Sequence, residues 1–189
     1  MTINWYEGFF DKLYIEWQNS SEVNYQKKCF LDAQNIYNLL NISQEEKILD
    51  LCCGCGFHSS QFADLGNSVV GIDLSKEMIS TAKKNFNNKK IKFISQDIRT
   101  EINNYKFDIA FCLNTSIGYF EDNIDLIKVF DNVYRCLNTK GKFVVDLFNP
   151  FKFCKEFIQH LSFNIDNFRI EQYSNLDLIK QEVTNCILQ

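Results

Sequence analysis

Five apolar runs of strand length alternate along this chain with stretches of helical periodicity. They cover residues 48–53, 68–73, 90–95, 107–113 and 142–148. The fourth run, Phe-Asp-Ile-Ala-Phe-Cys-Leu, is almost wholly apolar, which is typical of a central strand in a parallel sheet. A turn is predicted at 138–141, ahead of the fifth run. Such strand–helix alternation predicts an α/β fold, in which right-handed crossovers place helices on both faces of a parallel sheet.

Helical patterns precede the first run. Residues 4–17 are strongly aromatic and predict short helical segments. Residues 22–41 predict an amphipathic helix whose apolar stripe repeats at intervals of three and four positions, at Phe30, Ala33, Tyr37 and Leu40. We therefore predict an N-terminal helical segment at 1–44, followed by a core domain at 45–150.

The last part of the chain has a different pattern. Residues 151–161 predict a helix, and residues 163–173 and 176–188 predict two strands joined at Ser174-Asn175. These strands carry many polar residues, as expected of a half-exposed antiparallel pair. We therefore predict a partial antiparallel extension at 151–189.

Composition narrows the class of protein. The chain has 189 residues, of which 46% are apolar and 23% charged, with a single proline, so it is globular rather than disordered. Its net charge of −4 argues against a broad nucleic-acid-binding face. No run approaches the ~18 apolar residues of a membrane span, and the first residues lack a signal-peptide core. Most of its eight cysteines lie inside apolar runs as small hydrophobes, so we predict a cytoplasmic protein without disulfides.

The candidate chemistry begins where the first strand ends. Glycines at 54 and 56 interrupt the apolar run, and a helical pattern follows. Glycines let the backbone approach a ligand, and a new helix presents unpaired N–H groups to an anionic group. A dinucleotide fingerprint G-x-G-x-x-G would need glycine at position 59, where Ser59 stands instead.

The cysteines of this loop also suggest a metal site. Cys52, Cys53, Cys55 and His58 are residue types that bind zinc. Structural zinc sites bring two separated pairs together, whereas adjacent residues of a strand point in opposite directions. We therefore predict no metal site.

The loop resembles the S-adenosylmethionine loop of class I (Rossmann-like) methyltransferases, which runs acid-x-Gly-x-Gly-x-Gly. Asp50, Gly54 and Gly56 match it, and Cys52 stands at the first glycine position. Asp73 ends the second strand, seventeen residues beyond Gly56, at the spacing of an acid that binds ribose hydroxyls. The alternative for Asp73 is an N-cap of the helix at 75–86.

Two later segments extend the resemblance. Gln96-Asp97-Ile98 follows the third strand, where the family has an acid that accepts from the adenine amino group. The alternative for Asp97 is a turn aspartate. Residues 114–122 follow the fourth strand on the predicted substrate face, and Thr-Ser-Ile-Gly-Tyr-Phe within them resembles a bacterial small-molecule branch of the family. The resemblance thus implies cofactor contacts from Asp50, Cys52, Gly54, Gly56, Asp73, Leu74, Asp97, Ile98 and Asn114.

The function implied is methyl transfer from S-adenosylmethionine to a small molecule. A sulfonium carries its own leaving group, so the protein mainly positions and desolvates the reactants. A base is needed only if the acceptor loses a proton as it attacks. Tyr119 and His160 are the candidates, although a structural role is favoured for each.

Three alternatives remain open. A cofactor-binding protein without activity keeps every motif. A nicotinamide oxidoreductase is disfavoured by Ser59, and an RNA methyltransferase by the net charge. In the family, a hairpin that covers the substrate follows the fifth strand, and a further helix and two strands then close the sheet; an N-terminal segment covers the cofactor. The sequence ends at Gln189 inside the predicted hairpin, so we expect an open fifth-strand edge and self-association through it.

Overall fold

The computed structural model describes residues 6–10, 12–19, 24–87, 90–103, 105–120, 122–165, 168–177 and 182–188. The chain divides into two compact units, residues 1–147 and 148–189. The first unit includes the N-terminal helical segment and the core, and the predicted boundaries at 44/45 and 150/151 stay predictions.

The first unit is built on a five-stranded parallel sheet. Its strands are β1 (Lys47–Leu51), β2 (Ser68–Asp73), β3 (Ile91–Ser95), β4 (Phe107–Cys112) and β5 (Leu137–Val145). Their order is β3-β2-β1-β4-β5, and every neighbouring pair is parallel. This confirms the predicted Rossmann-like sheet. The chain turns from one side of β1 to the other between β3 and β4, so ligands are expected beyond the carboxyl ends of β1 and β4.

Helices surround this sheet, and their bounds follow the caps. They are α1 (Tyr6–Phe9), α2 (Lys12–Asn19), α3 (Tyr25–Leu40), α4 (Phe57–Asp64), α5 (Lys76–Asn85), a 3₁₀ turn (Ser116–Tyr119) and α6 (Asn123–Cys136). The Ser75 hydroxyl caps α5 by accepting from the Met78 N–H, and the Asp122 carboxylate caps α6 by accepting from the Ile124 N–H. The short N-terminal helices confirm the prediction for residues 4–17.

Core residues pack on both faces of the sheet. Leu49 and Leu51 of β1 belong to a cluster with Val129 and Val133 of α6. Ile48 points the other way, into a cluster with Phe62 of α4 and Ala33 of α3. In that second cluster the rings of Phe62 and Phe111 stack with centroids 4.7 Å apart. Helices therefore cover both faces, as predicted.

The prediction for the buried side of α3 was wrong at one position. Phe30 is 48% exposed, whereas Cys29 is fully buried. Cys29 packs with Cys55, Phe57 and Met78, beneath the loop that follows β1. The space there suits a small thiol, so the larger aromatic ring faces outward.

The fifth strand also differs from the prediction. It begins at Leu137 rather than residue 142, and it ends at Val145 rather than residue 148. Leu137 pairs with Phe107 and Lys142 pairs with Ile109, so the predicted turn at 138–141 is an irregularity inside β5. Lys140 has a left-handed φ of 70° at this irregularity. The turn-forming residues interrupt the pairing of β5 with β4, but β5 still begins at Leu137, directly after α6.

The second unit is a helix followed by antiparallel strands, as predicted, but the helix predicted over 151–161 ends at Lys155, and the number of strands differs. It contains α7 (Pro150–Lys155) and three antiparallel strands among its described residues, β6 (His160–Ile165), β7 (Phe168–Asp177) and β8 (Glu182–Leu188). Two strands had been predicted, with a turn at Ser174-Asn175. Those residues instead lie inside β7, where they pair with Asn185 and Thr184. Pairing with β8 overrides the local turn preference of serine and asparagine.

Candidate functional site

The loop between β1 and α4 uses the left-handed backbone region three times. Cys52, Gly54 and Gly56 have φ values of 57°, 54° and 80°. Glycine adopts this region without a steric cost, whereas a residue with a Cβ loses roughly 1–2 kcal/mol there. Cys52 bears that cost at the position where the family motif has glycine. Its side chain packs against the core cluster of β1 and β4, which holds the loop in this shape.

Asp73, the last residue of β2, is hydrogen-bonded both to the loop after β1 and to the start of α5. Its Oδ2 accepts a hydrogen bond from the Gly54 N–H at 2.8 Å, and its Oδ1 accepts from the Ser75 N–H at 2.9 Å. Burial raises the pKa of Asp73, and these backbone donors act in the opposite direction. The N-cap of α5 is Ser75, so the alternative prediction for Asp73 as the cap is wrong.

Asp50, in β1, is more deeply buried than Asp73. It is 3% exposed, and the Ser59 hydroxyl donates to its Oδ2 at 2.6 Å. Burial raises the pKa of Asp50. Ser59, which breaks the dinucleotide pattern, therefore serves as a hydrogen-bond donor to the acid that opens the motif.

A cavity at the carboxyl ends of β1, β2 and β4 brings most of the predicted residues together. Its walls include Asp50, Cys52, Gly54, Asp73, Leu74, Asp97, Ile98 and Asn114. Gly56 lies behind the loop, where a Cβ would come within 2.6 Å of the Phe93 ring. The predicted contacts with cofactor stay predictions, but eight of these nine residues share one cavity wall.

Aromatic rings from the N-terminal segment and the loop after β4 line another part of the cavity. They are Tyr6, Phe10, Tyr14, Tyr119 and Phe120. Phe10 packs on Tyr119 with ring centroids 5.4 Å apart, and Tyr6 packs on Phe120 at 6.2 Å. The Ser75 hydroxyl donates to the Phe10 carbonyl at 2.9 Å, which anchors this segment beside Asp73. The segment thus lines the cavity, as the prediction that it covers the cofactor requires.

The two candidate bases lie in different units. Tyr119 lines the cavity, and burial raises its pKa to about 12, so it keeps its proton at neutral pH. His160 lies in β6 of the second unit, bonded to Glu171 and stacked on Tyr173. Because Tyr119 stays protonated, it is poorly suited to act as a base. The contacts of His160 with Glu171 and Tyr173 are typical of a structural residue.

A polar network that was not predicted fixes Asn114. The Asn114 amide donates to the Tyr25 hydroxyl at 2.8 Å, and its oxygen accepts from the Lys28 ammonium at 2.9 Å. Lys28 also bonds Asp32 at 2.6 Å, and Asp32 lies 3.3 Å from His58 Nε2. Asn114 has a left-handed φ of 57°. The network therefore holds a strained residue at the cavity wall and joins α3 to the loop after β4.

His58 adds a second positive charge to this network, beside the Lys28 ammonium. Burial lowers its pKa, but contacts with Asp32, Cys29 and Asp50 outweigh that effect and raise the pKa to about 9. The His58 contact in turn lowers the pKa of Asp32 to about 2. Among the cavity-lining residues that the structure describes, none is lysine or arginine, so His58 is the cationic side chain of a wall that also holds Asp50, Asp73 and Asp97.

The pH dependence of His58 follows from these contacts. Because its folded pKa lies above the ordinary 6.5, the pair stabilises the fold below about pH 6.5 and loses that effect as the pH rises through about 9. Titration followed by imidazole NMR is expected to give a pKa near 9 in wild type. Asp32→Asn is expected to lower the pKa of His58, because the carboxylate that raises this pKa against the effect of burial is then absent. The chain has two histidines, so His58→Gln assigns the signal. A pKa unchanged by Asp32→Asn would contradict this.

The residues missed by sequence reasoning are Tyr25, Lys28, Asp32, His58 and Arg99. His58 had been considered only as a zinc ligand. Tyr25, Lys28 and Asp32 lie at intervals of three and four on α3, which places them on one helix face, but nothing local links that face to residue 114. Arg99 donates to the carboxylate of Asp97, which precedes it by two residues, and this short spacing is a local signal that could have indicated the contact.

Two features of other functional classes were also sought. In the described ranges, no cluster of three or more His, Cys, Asp or Glu is arranged to hold a metal ion. None of the described helices has the length and apolar character to cross a membrane.

The fold and site together define a Rossmann-like protein with a class I methyltransferase loop. A family model described as a methyltransferase domain matches residues 48–141, which include the loop, Asp73 and Asp97. The matched residues therefore form a methyltransferase domain, and over them the chain is similar to class I S-adenosylmethionine-dependent methyltransferases.

Relatives and solved structures agree with this assignment. The Bacillus subtilis (strain 168) protein YqeM, whose name places it provisionally among methyltransferases, is 35% identical over 120 residues. The match covers 62% of this chain and 48% of YqeM, so the chain spans about half of that relative. A crystal structure of an S-adenosylmethionine-dependent methyltransferase from Clostridium acetobutylicum ATCC 824 shares the fold, with a TM-score of 0.69 and 24% identity over 88% of this chain and 69% of that chain.

A second solved structure has the same fold. It is CalS10 from Micromonospora echinaspora with S-adenosylmethionine bound, named as an amino pentose methyltransferase. Its TM-score is 0.62, with 19% identity over 92% of this chain and 69% of that chain.

Proposed function

We propose that this protein transfers the methyl group of S-adenosylmethionine to a small-molecule acceptor. The observation that carries the proposal is the joint placement of Asp73, Asp97 and the Gly54 loop on one cavity wall. An acid that follows β2 suits ribose hydroxyls, and an acid that follows β3 suits an exocyclic amine. Leu74 and Ile98 supply apolar surface between them for a purine ring.

The charge of the cavity fits the same cofactor. Asp50, Asp73 and Asp97 line it, and S-adenosylmethionine carries a sulfonium and an ammonium group. Opposite charges in a partly desolvated site attract more strongly than in water. His58 lines the same cavity, and its positive charge is opposite to that of the cofactor's one carboxylate.

When bound, S-adenosylmethionine supplies an electrophilic methyl group together with its own leaving group. The protein's share of the chemistry is then to hold the two reactants in line and to exclude water. Tyr6, Phe10, Tyr14, Tyr119 and Phe120 present apolar ring surface that excludes water. Tyr119 keeps its hydroxyl proton and therefore suits hydrogen-bond donation.

The walls favour an amine as the acceptor. Aromatic faces attract ammonium groups, and the three carboxylates repel anionic acceptors. Some relatives act on amines by name: the glycine/sarcosine N-methyltransferase of Aphanothece halophytica is 26% identical over 144 residues, 74% of this chain and 52% of its own length. We therefore propose that the methylated atom is an amine nitrogen rather than a carboxylate or phosphate oxygen.

Calorimetry and methyl transfer test this proposal in sequence. S-adenosylmethionine and S-adenosylhomocysteine are expected to bind the full chain, and NADH is expected not to compete. Radiolabelled methyl transfer to a panel of small amines, alcohols and carboxylic acids is then expected to succeed with an amine. Binding without transfer to any acceptor would support the inactive alternative, and failure to bind would overturn the proposal.

Cellular setting and self-association are also proposed. Seven of the eight cysteines are free thiols among the side chains that the structure describes, which supports a cytoplasmic location. The net charge of −4 supports a partner other than nucleic acid. β5 ends the sheet order, and an unpaired strand edge attracts another chain, which supports self-association. Light scattering that shows a monomer at all concentrations would contradict the last point.

A further inference from the structure

Asp97 is held by a neighbour that occupies most of its carboxylate. The Arg99 backbone N–H donates to Asp97 Oδ1 at 2.8 Å, and the Arg99 Nη2 donates to Oδ2 at 2.6 Å. The Nε–H lies between both oxygens, at 3.0 and 2.9 Å. An ionised carboxylate has about four acceptor sites, and these three hydrogens take about three of them. About one acceptor site of the carboxylate is left for a ligand.

Arg99 is itself fixed from two other directions. Its Nη1 donates to Asp125 Oδ2 at 2.6 Å, in the first turn of α6. Its guanidinium lies over the Phe120 ring, 5.8 Å from the centroid, and Phe120 lines the cavity. The side chains of Asp97, Arg99 and Asp125 are 25%, 21% and 23% exposed, so solvent competes only partly for these bonds. The bonds together hold Asp97 in one orientation.

We infer that Arg99 is a positioning residue that makes the cavity selective for a 6-amino purine over a 6-oxo purine. This rests on the proposed function, in which Asp97 faces the adenine edge. A carboxylate with about one acceptor site left matches a single N–H donor. A 6-oxo group brings a second acceptor to the same point, and the N1–H donor beside it lies one ring atom away, out of reach of a carboxylate that cannot rotate. The selectivity depends on Asp97 being unable to rotate.

The planar fork of arginine is the part that matters. Lysine keeps the positive charge but offers a flexible point donor, so it neutralises Asp97 without fixing its plane. Arg99→Lys therefore separates charge from orientation. Asp125→Ala removes the brace behind Arg99 without touching Asp97. Lys128 bonds the other oxygen of Asp125 at 2.8 Å and is 54% exposed, so Lys128→Met is the matched control for the loss of that pair.

The experiment compares two ligands in each protein by calorimetry. The probes are S-adenosylhomocysteine and its 6-oxo analogue, S-inosylhomocysteine. Wild type and Lys128→Met are expected to prefer the amino compound by about tenfold to a hundredfold, the range for a hydrogen bond to a charged group. Arg99→Lys and Asp125→Ala are expected to reduce that ratio to roughly threefold or less, because the carboxylate can rotate. Circular dichroism establishes that each variant is folded.

The ratio distinguishes positioning from a merely structural role. Loss of the Arg99 contacts could lower the thermal midpoint in either case, but only a positioning role changes the preference between two ligands that differ only along the purine edge that faces Asp97. A wild-type ratio retained in both Arg99→Lys and Asp125→Ala would overturn the inference and leave the proposed function standing. If Arg99→Lys does not fold, the ratio in Asp125→Ala decides. Failure of wild type to bind either ligand would overturn both.

Discussion

Replacing Asp73 by alanine is expected to weaken S-adenosylmethionine binding by about tenfold or more, since hydrogen bonds to a charged group contribute ~1.5–3 kcal/mol. In the proposed complex this carboxylate accepts from the ribose hydroxyls. It also accepts from the Gly54 N–H at 2.8 Å, so its removal loosens the loop as well. Calorimetry on the folded variant measures the loss.

Asp131→Ala is the matched control for this prediction. Asp131 is an exposed acid on α6, so its replacement changes the net charge equally and leaves the cavity intact. Its affinity is expected to stay within about twofold of wild type, because surface charges act weakly through salt. Equal affinities in wild type, Asp131→Ala and a folded Asp73→Ala would remove the ribose role of Asp73.

Gly56→Val is expected to abolish cofactor binding and, in addition, to lower the free energy of unfolding by about 2–6 kcal/mol. From the sequence alone, we expected most of the helix content to survive, with the ligand as the group that excludes a Cβ. The structure supplies a second reason. At φ 80° a Cβ would lie 2.6 Å from the Phe93 ring and 3.2 Å from Ala82. The loss therefore begins in the protein itself.

Matched glycines separate these causes. Gly54→Ala shares the left-handed φ, at 54°, but its Cβ would meet only Met78 Sδ at 3.4 Å, so it should cost less stability than Gly56→Ala. Gly8→Ala, with nothing within 4 Å, should cost least. Denaturant unfolding measures all three. Equal midpoints for Gly54→Ala and Gly56→Ala would show that the Phe93 contact is unimportant.

Local signals predicted the sheet and most of the site. Each strand is a short apolar run, and each turn into a helix is marked by glycine or a capping residue, so β2 was predicted at its observed bounds, 68–73. In a parallel sheet, residues that follow successive strands meet at one edge. The resemblance to class I methyltransferase motifs assigned Asp50, Asp73 and Asp97 to one cofactor site, and all three line one cavity.

Pairing between distant segments decided the second unit. Ser174-Asn175 has the composition of a turn, and the backbone there could have formed one. It instead lies inside β7, where Ser174 is opposite Asn185 of β8 and its N–H donates to the Gln159 carbonyl at 2.8 Å. A hydrogen-bonded partner several residues away is absent from any local pattern, so the number of strands was predicted wrongly.

What the sequence by itself determined is the order of elements and the residues at the strand ends, because apolar periodicity and turn chemistry act over a few neighbouring positions. What only the tertiary structure decided is which side chains hold those residues in place. Arg99 orients Asp97 only because α6 brings Asp125 within 2.6 Å of it, and Asp32 reaches His58 from 26 residues away. Such contacts depend on how the helices pack on the sheet. This packing brings together residues that are far apart in the sequence, so no local spacing predicts them.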